Sequence, residues 1–185
     1  ETEQRGCRHP GPLCSVTNHA EFGGKGTDGN VGVEGQNKFG VTKTHAAPSK
    51  DGVNWTVDVT IPNCGFNESF TITDALPFTW TGGYNADSYK EGSLQIAMNG
   101  QTIGADNYDI KYTAPVTEGH NKSSGSIQVV FKPKRLAGLF PAITGEERVL
   151  TMTYTTIPDS TWPDGENHYN TVTASPISSK LSGSS

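Results

Sequence analysis

The sequence predicts an all-β protein, a two-layer sandwich of about eight short strands behind an irregular, glycine-rich N-terminal segment. Three observations carry this. The 185 residues include 22 glycines and 11 prolines but only 32% hydrophobic residues, a composition that suits many turns and thin strands. Apolar residues recur at every second position in one segment after another, the period that puts alternate side chains on one face of a strand. Clusters of Gly, Pro, Asn, Asp and Ser punctuate those segments at regular intervals.

Residues 1–37 keep no sustained period and are crowded with glycine (Gly23, Gly24, Gly26, Gly29, Gly32 and Gly35). They read as a linker or as the end of a preceding unit. VTNHAEF at 16–22 faintly echoes YNTVTAS at 169–175, either as the last strand of an upstream repeat or by chance in a β-prone composition. The domain proper spans 38–177. FGVTKTH (39–45) leads through a polar turn, Pro48 to Gly52, into VNWTVDVTI (53–61). There Trp55, Val57, Val59 and Ile61 alternate with Thr56, Asp58 and Thr60. SFTITDAL (69–76), SLQIAM (93–98) and YDIKYTA (108–114) follow, with Asn99-Gly100 as a turn. SIQVVFK (126–132), RVLTMTYTTI (148–157) and HYNTVTA (168–174) close the run. A helical turn is expected only in LAGLFPAI (136–143), where Pro141 limits it. The tail, 178–185, is polar and reads as disordered.

The net charge of −5 is mild and not gathered into runs, so nucleic acid is not an expected partner. No stretch approaches the roughly 18 apolar residues that span a bilayer, so any membrane attachment is expected to lie outside the chain. No secretory leader opens the sequence, which reads as mature or as an excised fragment. Three cysteines are an awkward count. Cys7 and Cys14 frame a short loop and Cys64 follows Pro62-Asn63 in a turn; one disulfide with one free thiol is the favoured reading, and the pairing is open. The spacing matches no usual zinc pattern, and no metal or other cofactor is expected.

Three polar residues share faces with apolar ones. The in-phase sets are Phe39, Val41, Lys43; Phe70, Ile72, Asp74, Leu76; and Asn170, Val172, Ala174. A lone buried ammonium or carboxylate is costly, and such groups are paired or neutralised. Burial lowers a lysine's pKa towards a neutral, nucleophilic amine and raises an acid's pKa until it keeps its proton. If the first, third and last strands meet, a protonated Asp74 polarises the Asn170 carbonyl and shuttles protons while Lys43 attacks. Ammonia leaves and an isopeptide bond remains. Phe39, Trp55 and Tyr154 are the aromatic groups expected to keep water out. Each residue also has an ordinary reading: Lys43 as an edge-strand lysine that blocks aggregation, Asp74 as a turn initiator, Asn170 as a partner for backbone groups.

The segments VTKT, VNWTVDVTIPN, FTITDALP, YTTIPD and HYNTVTA, in that order, span nearly all of 38–175. Their order resembles that of the isopeptide-forming, collagen-adhesin-type immunoglobulin-like domains of Gram-positive surface proteins and pilins. The resemblance implies an immunoglobulin-like sandwich in which Lys43 of the first strand is joined to Asn170 near the last, with Asp74 as the catalytic acid. Cysteines depart from the pattern, and His45 and His168 lie in phase with Lys43 and Asn170. Asn167 is a rival to Asn170 in a loop-like stretch.

The resemblance implies a structural stalk or adhesin module of a bacterial cell surface, anchored to the wall through regions outside this chain. Such a module cross-links itself once and turns over nothing, so it is not an enzyme. Its partners would be neighbouring domains of the same surface protein. The alternative is a domain that binds host protein or glycan through its loops or a strand edge; Trp80, Tyr84 and Tyr89, in the loop TWTGGYNADSY, are its candidate contacts.

Overall fold

A computed structural model describes residues 40–61, 69–80, 83–140, 148–159 and 170–174 in full, together with the backbone of strands at 2–3, 14–22, 25–33, 175–176 and 181–184. Strands run in the order β1 (Thr2–Glu3), β2 (Cys14–Phe22), β3 (Lys25–Val33), β4 (Gly40–His45), β5 (Val53–Ile61), β6 (Phe70–Ala75), β7 (Phe78–Thr79), β8 (Asn85–Ala86) and β9 (Ser88–Tyr89). Then come β10 (Gln95–Met98), β11 (Gln101–Thr102), β12 (Tyr108–Thr113), β13 (Ser126–Phe131), helix α1 (Pro133–Leu139), β14 (Arg148–Ile157), β15 (Thr171–Pro176) and β16 (Leu181–Ser184).

Two antiparallel sheets enclose one hydrophobic core. The first has the order β11-β10-β14-β5-β4, with β9 also paired to β14; the second has the order β12-β13-β6-β15-β16. The expected all-β, immunoglobulin-like sandwich is what the chain forms. Its core follows from the alternation. Val53, Trp55, Val57, Val59 and Ile61 of β5 are all buried, as are Ile127, Val129 and Phe131 of β13 and Leu150, Met152 and Tyr154 of β14. Burying each such apolar side chain is worth about 1.5–3 kcal/mol.

Two turns set the register of the first sheet. Asn99 (φ 45°) and Gly100 (φ 80°) form a two-residue hairpin loop between β10 and β11, and the Asn99 side-chain oxygen accepts a 2.9 Å hydrogen bond from the Val149 amide. Gly52, at φ 115°, comes just before β5 and so close to β14 that a Cβ there would collide with the Thr156 carbonyl oxygen.

The helix lies earlier than expected. Pro133 occupies its first turn, where a missing N–H costs nothing, and Lys132 caps it with extended backbone. Leu136 and Phe140 are buried, and Phe140 packs edge-on against Phe70 and Phe131 at ring separations of 5.5 and 5.3 Å. This aromatic cluster closes one end of the sandwich.

Within residues 1–37, the expected linker or end of a preceding unit, the strands β1, β2 and β3 form a separate three-stranded sheet. Leu181–Ser184, in the tail expected to be disordered, pair with β15. Cys7 and Cys64 lie outside the described residues and Cys14 is described only as backbone of β2, so cysteine pairing lies outside them too. Phe39, Asn167 and His168 also fall outside.

Candidate functional site

Lys43 sits on β4 opposite Val57 of β5, in the one buried position of that strand. Asp74 stands on β6 between Ile127 of β13 and Val172 of β15. Tyr154, on β14, lies opposite Trp55. Asn170 comes one residue before β15 and is in phase with buried Val172 and Ala174. β4 edges its sheet and packs against β15, so the two sheets bring these four side chains to one place. Asp74 and Asn170 are fully buried, and Lys43 is 6% exposed.

The contacts are short. The Lys43 ammonium donates to both Asp74 oxygens, at 2.7 and 2.6 Å, and to the Tyr154 hydroxyl at 2.8 Å. That hydroxyl donates to Asp74 Oδ2 at 2.6 Å and accepts from Asn170 Nδ2 at 2.6 Å. A phenol has one proton to give and two lone pairs, and here all three are used. Lys43 Nζ and Asn170 Nδ2 therefore share one oxygen, at 2.8 and 2.6 Å, and stand no more than 5.4 Å apart. The Asn170 oxygen, by contrast, is buried and meets no hydrogen-bond donor among the described residues. It is the oxygen that a protonated Asp74 is expected to polarise; in the structure the Asp74 oxygens are held by Lys43 and Tyr154 instead.

Burial weakens the charged form of each group. Burial lowers the Lys43 pKa to about 8, against the pull of Asp74. Burial also raises the Asp74 pKa, outweighing the Lys43 charge and the hydrogen bonds from Lys43, Tyr154 and Asn170. The Tyr154 phenol is pushed well above its ordinary value, first by burial and then by the Asp74 charge. Each shift disfavours the ion, so moving one proton from Lys43 to Asp74 across 2.6 Å costs far less than it would in water. The face of Trp55 lies 5.0 Å from Lys43 Nζ, where it excludes water and partly compensates the cation before the proton moves.

The sequence brought out Lys43, Asp74 and Asn170, and the structure places them together. It treated Tyr154 only as an aromatic wall; the hydroxyl at the centre of the cluster went unread. A second polar chain was missed altogether. Trp55 Nε1 donates to Thr156 Oγ1 at 2.9 Å, and Thr156 donates to the fully buried Asp87 at 2.7 Å. Thr156 lies in phase with Leu150, Met152 and Tyr154, the same signal that exposed Lys43, so the pattern could have revealed it.

The aromatic loop divides. Trp80 is 64% exposed and packs on Tyr84 at 4.6 Å, with Phe78 beside Tyr84 and Lys122 over both rings. Tyr89 is buried elsewhere, against Tyr112. His45 is exposed and packs on Trp55. No group of three His, Cys, Asp or Glu side chains among the described residues is placed to share a metal ion. No helix among them is long and apolar enough to cross a membrane.

No protein-family model matches the chain, and no curated protein matches it by sequence. Solved structures do. The full-length major pilin RrgB of Streptococcus pneumoniae aligns over 81% of this chain with a TM-score of 0.52 at 12% identity. BcpA, the major pilin subunit of Bacillus cereus, aligns over 79% with a TM-score of 0.52 at 10% identity. This chain spans 27% and 38% of the length of those two proteins. It shares the immunoglobulin-like fold of domains found in Gram-positive pilins.

Proposed function

We propose that the chain is a structural module of a Gram-positive surface protein that joins Lys43 to Asn170 by an isopeptide bond. One observation carries the reading: amine, carboxamide and acid are gathered around a single hydroxyl in a site closed to water. Asp74 takes a proton from Lys43, the neutral amine attacks Asn170 Cγ, and ammonia leaves. The amine of Lys43 is the nucleophile, the Asn170 carboxamide the electrophile, and Asp74 the acid–base group. The reaction runs once and needs no cofactor, so the module is not an enzyme in the sense of turning over a substrate.

The consequence is mechanical. The bond would tie β4 to the residue before β15, so force arriving at either end would pass through it and not unravel the strands between. The module would serve as a stalk element outside the cell, its partners the adjacent domains of its own surface protein. Wall anchoring would be supplied by other regions of that protein. The exposed pair of Phe78 and Trp80 supports a second role, contact with a host protein or glycan, which can coexist with the cross-link.

Intact-mass spectrometry of the reduced, denatured protein tests the reading. Wild type should be lighter than its sequence by one ammonia, and Lys43→Ala and Asn170→Ala should each restore the full mass. A wild-type mass equal to the sequence value would overturn it.

A further inference from the structure

We infer that Tyr154 is a catalytic residue of the cross-linking reaction, the general acid that delivers a proton to the departing nitrogen of Asn170. This rests on the isopeptide reading and adds a fourth reacting group to it. The position of the hydroxyl carries the inference. It stands 2.6 Å from Asn170 Nδ2, the atom that must leave as ammonia, and 2.6 Å from Asp74 Oδ2, the group that can reprotonate it. An amide nitrogen is a poor leaving group until it is protonated, and among the described residues the Tyr154 hydroxyl is the hydrogen-bond partner of Nδ2. Asp74 already accepts from Lys43 through both of its oxygens, so it is engaged with the nucleophile when the leaving group needs its proton. Tyr154 links the two ends of the reaction.

The protons balance. Lys43 first passes one to Asp74, giving a neutral amine beside a carboxylic acid. The amine lone pair forms the new bond to Asn170 Cγ, and the carbonyl π pair moves onto Oδ1. Tyr154 then gives its proton to Nδ2 and takes the proton held by Asp74. The Cγ–Nδ2 bond breaks with its electron pair on nitrogen, ammonia departs, and the carbonyl re-forms. The new amide nitrogen, still carrying a surplus proton, returns it to Asp74. Tyr154 finishes as it began, one ammonia is released and the isopeptide N–H remains.

The structure offers a reason for the phenol's burial. Burial keeps the phenol protonated, and its contacts with Nδ2 and with Asp74 Oδ2 let it pass one proton on as it takes another, so no free phenolate has to form. Tyr154 is 2% exposed, so water does not compete for the transfer.

Cross-linking can be timed by synthesising the full chain without cells, stopping translation, and following ammonia loss by intact mass. Tyr154→Phe should fold, as judged by its near-ultraviolet circular dichroism, yet lose ammonia on the order of a hundredfold more slowly or worse. Folding at the wild-type cross-linking rate would overturn the inference. A second variant serves whether or not Tyr154→Phe folds: a fluorinated tyrosine installed at 154 keeps ring and hydroxyl but makes the phenol more acidic. Faster ammonia loss supports proton donation, and an unchanged rate overturns it in favour of a purely structural hydroxyl. Loss of ammonia in wild type with no response to either variant would refute only this inference, whereas its absence in wild type would refute the cross-link itself.

Discussion

Replacing Asn170 with alanine should lower the melting temperature by about 10–20 °C, and the figure follows from where the two ends of the bond lie. Lys43 and Asn170 are 127 positions apart (170 − 43). A cross-link closing a loop of that size removes unfolded-state entropy worth about 5 kcal/mol near room temperature, on the chain-entropy treatment used for disulfides. For a chain of this size each kcal/mol moves the midpoint by about 2–4 °C. Asn170→Ala is preferable to Lys43→Ala, because it leaves Lys43, Asp74 and Tyr154 able to satisfy one another, whereas deleting the lysine strands the Asp74 carboxyl in the core. The assay is thermal and urea unfolding of the two reduced proteins, each first characterised by mass. Wild type should show both the higher midpoint and the smaller urea m-value, since a tethered unfolded chain exposes less surface. A wild type that has lost ammonia but melts within about 3 °C of the variant would refute the entropic argument.

Three further outcomes are expected. The reactive pair, neutral Lys43 with protonated Asp74, carries the same single proton as the ion pair, so the cross-linking rate should be level with pH while the pair holds one proton. It should fall above about pH 8, as the Lys43 proton leaves, and fall again in acid once Asp74 and Lys43 are both protonated; a rate still climbing at pH 9 would contradict this. Thr156→Val should cost about 1–3 kcal/mol in urea unfolding, because Trp55 Nε1 loses its acceptor and Asp87 a donor; Thr156→Ser should recover most of it. Gly52→Ala should cost at least about 2 kcal/mol, since a positive φ and a Cβ driven into the Thr156 carbonyl both oppose it; unchanged stability would show that the β4–β5 turn can rearrange.

What the sequence disclosed depended on whether the signal was local. Alternation is local, so β5, β6, β13 and β14 were legible, and so was the misfit of Lys43, Asp74 and Asn170 with their apolar neighbours. The Asn99-Gly100 hairpin was legible because few other residues tolerate its backbone. Sheet order is not local. Tyr154 reads as one more core aromatic after Leu150 and Met152, and only the placement of β14 beside β5 and across from β6 aims its hydroxyl at Asp74. The helix lies earlier than its pattern predicts for another reason: Pro133 starts it, at a first-turn position where a missing N–H costs nothing. Strands as short as β8 and β9 have no period to read, so Asp87 between them gave no sign of burial.

The four side chains of the cluster come from three strands, β4, β6 and β14, and from the residue just before β15, divided between two sheets. Asn170 follows Lys43 by 127 residues, so the proposed cross-link could not form until the segment carrying Asn170 has itself been made and released from a ribosome or a secretion channel. Ammonia release would then mark a date: the moment β15 docks beside β6 in its correct register. A population of such proteins would carry its own folding history in its mass, each chain that closed properly lighter than each that did not. Sorting by weight would amount to counting successes.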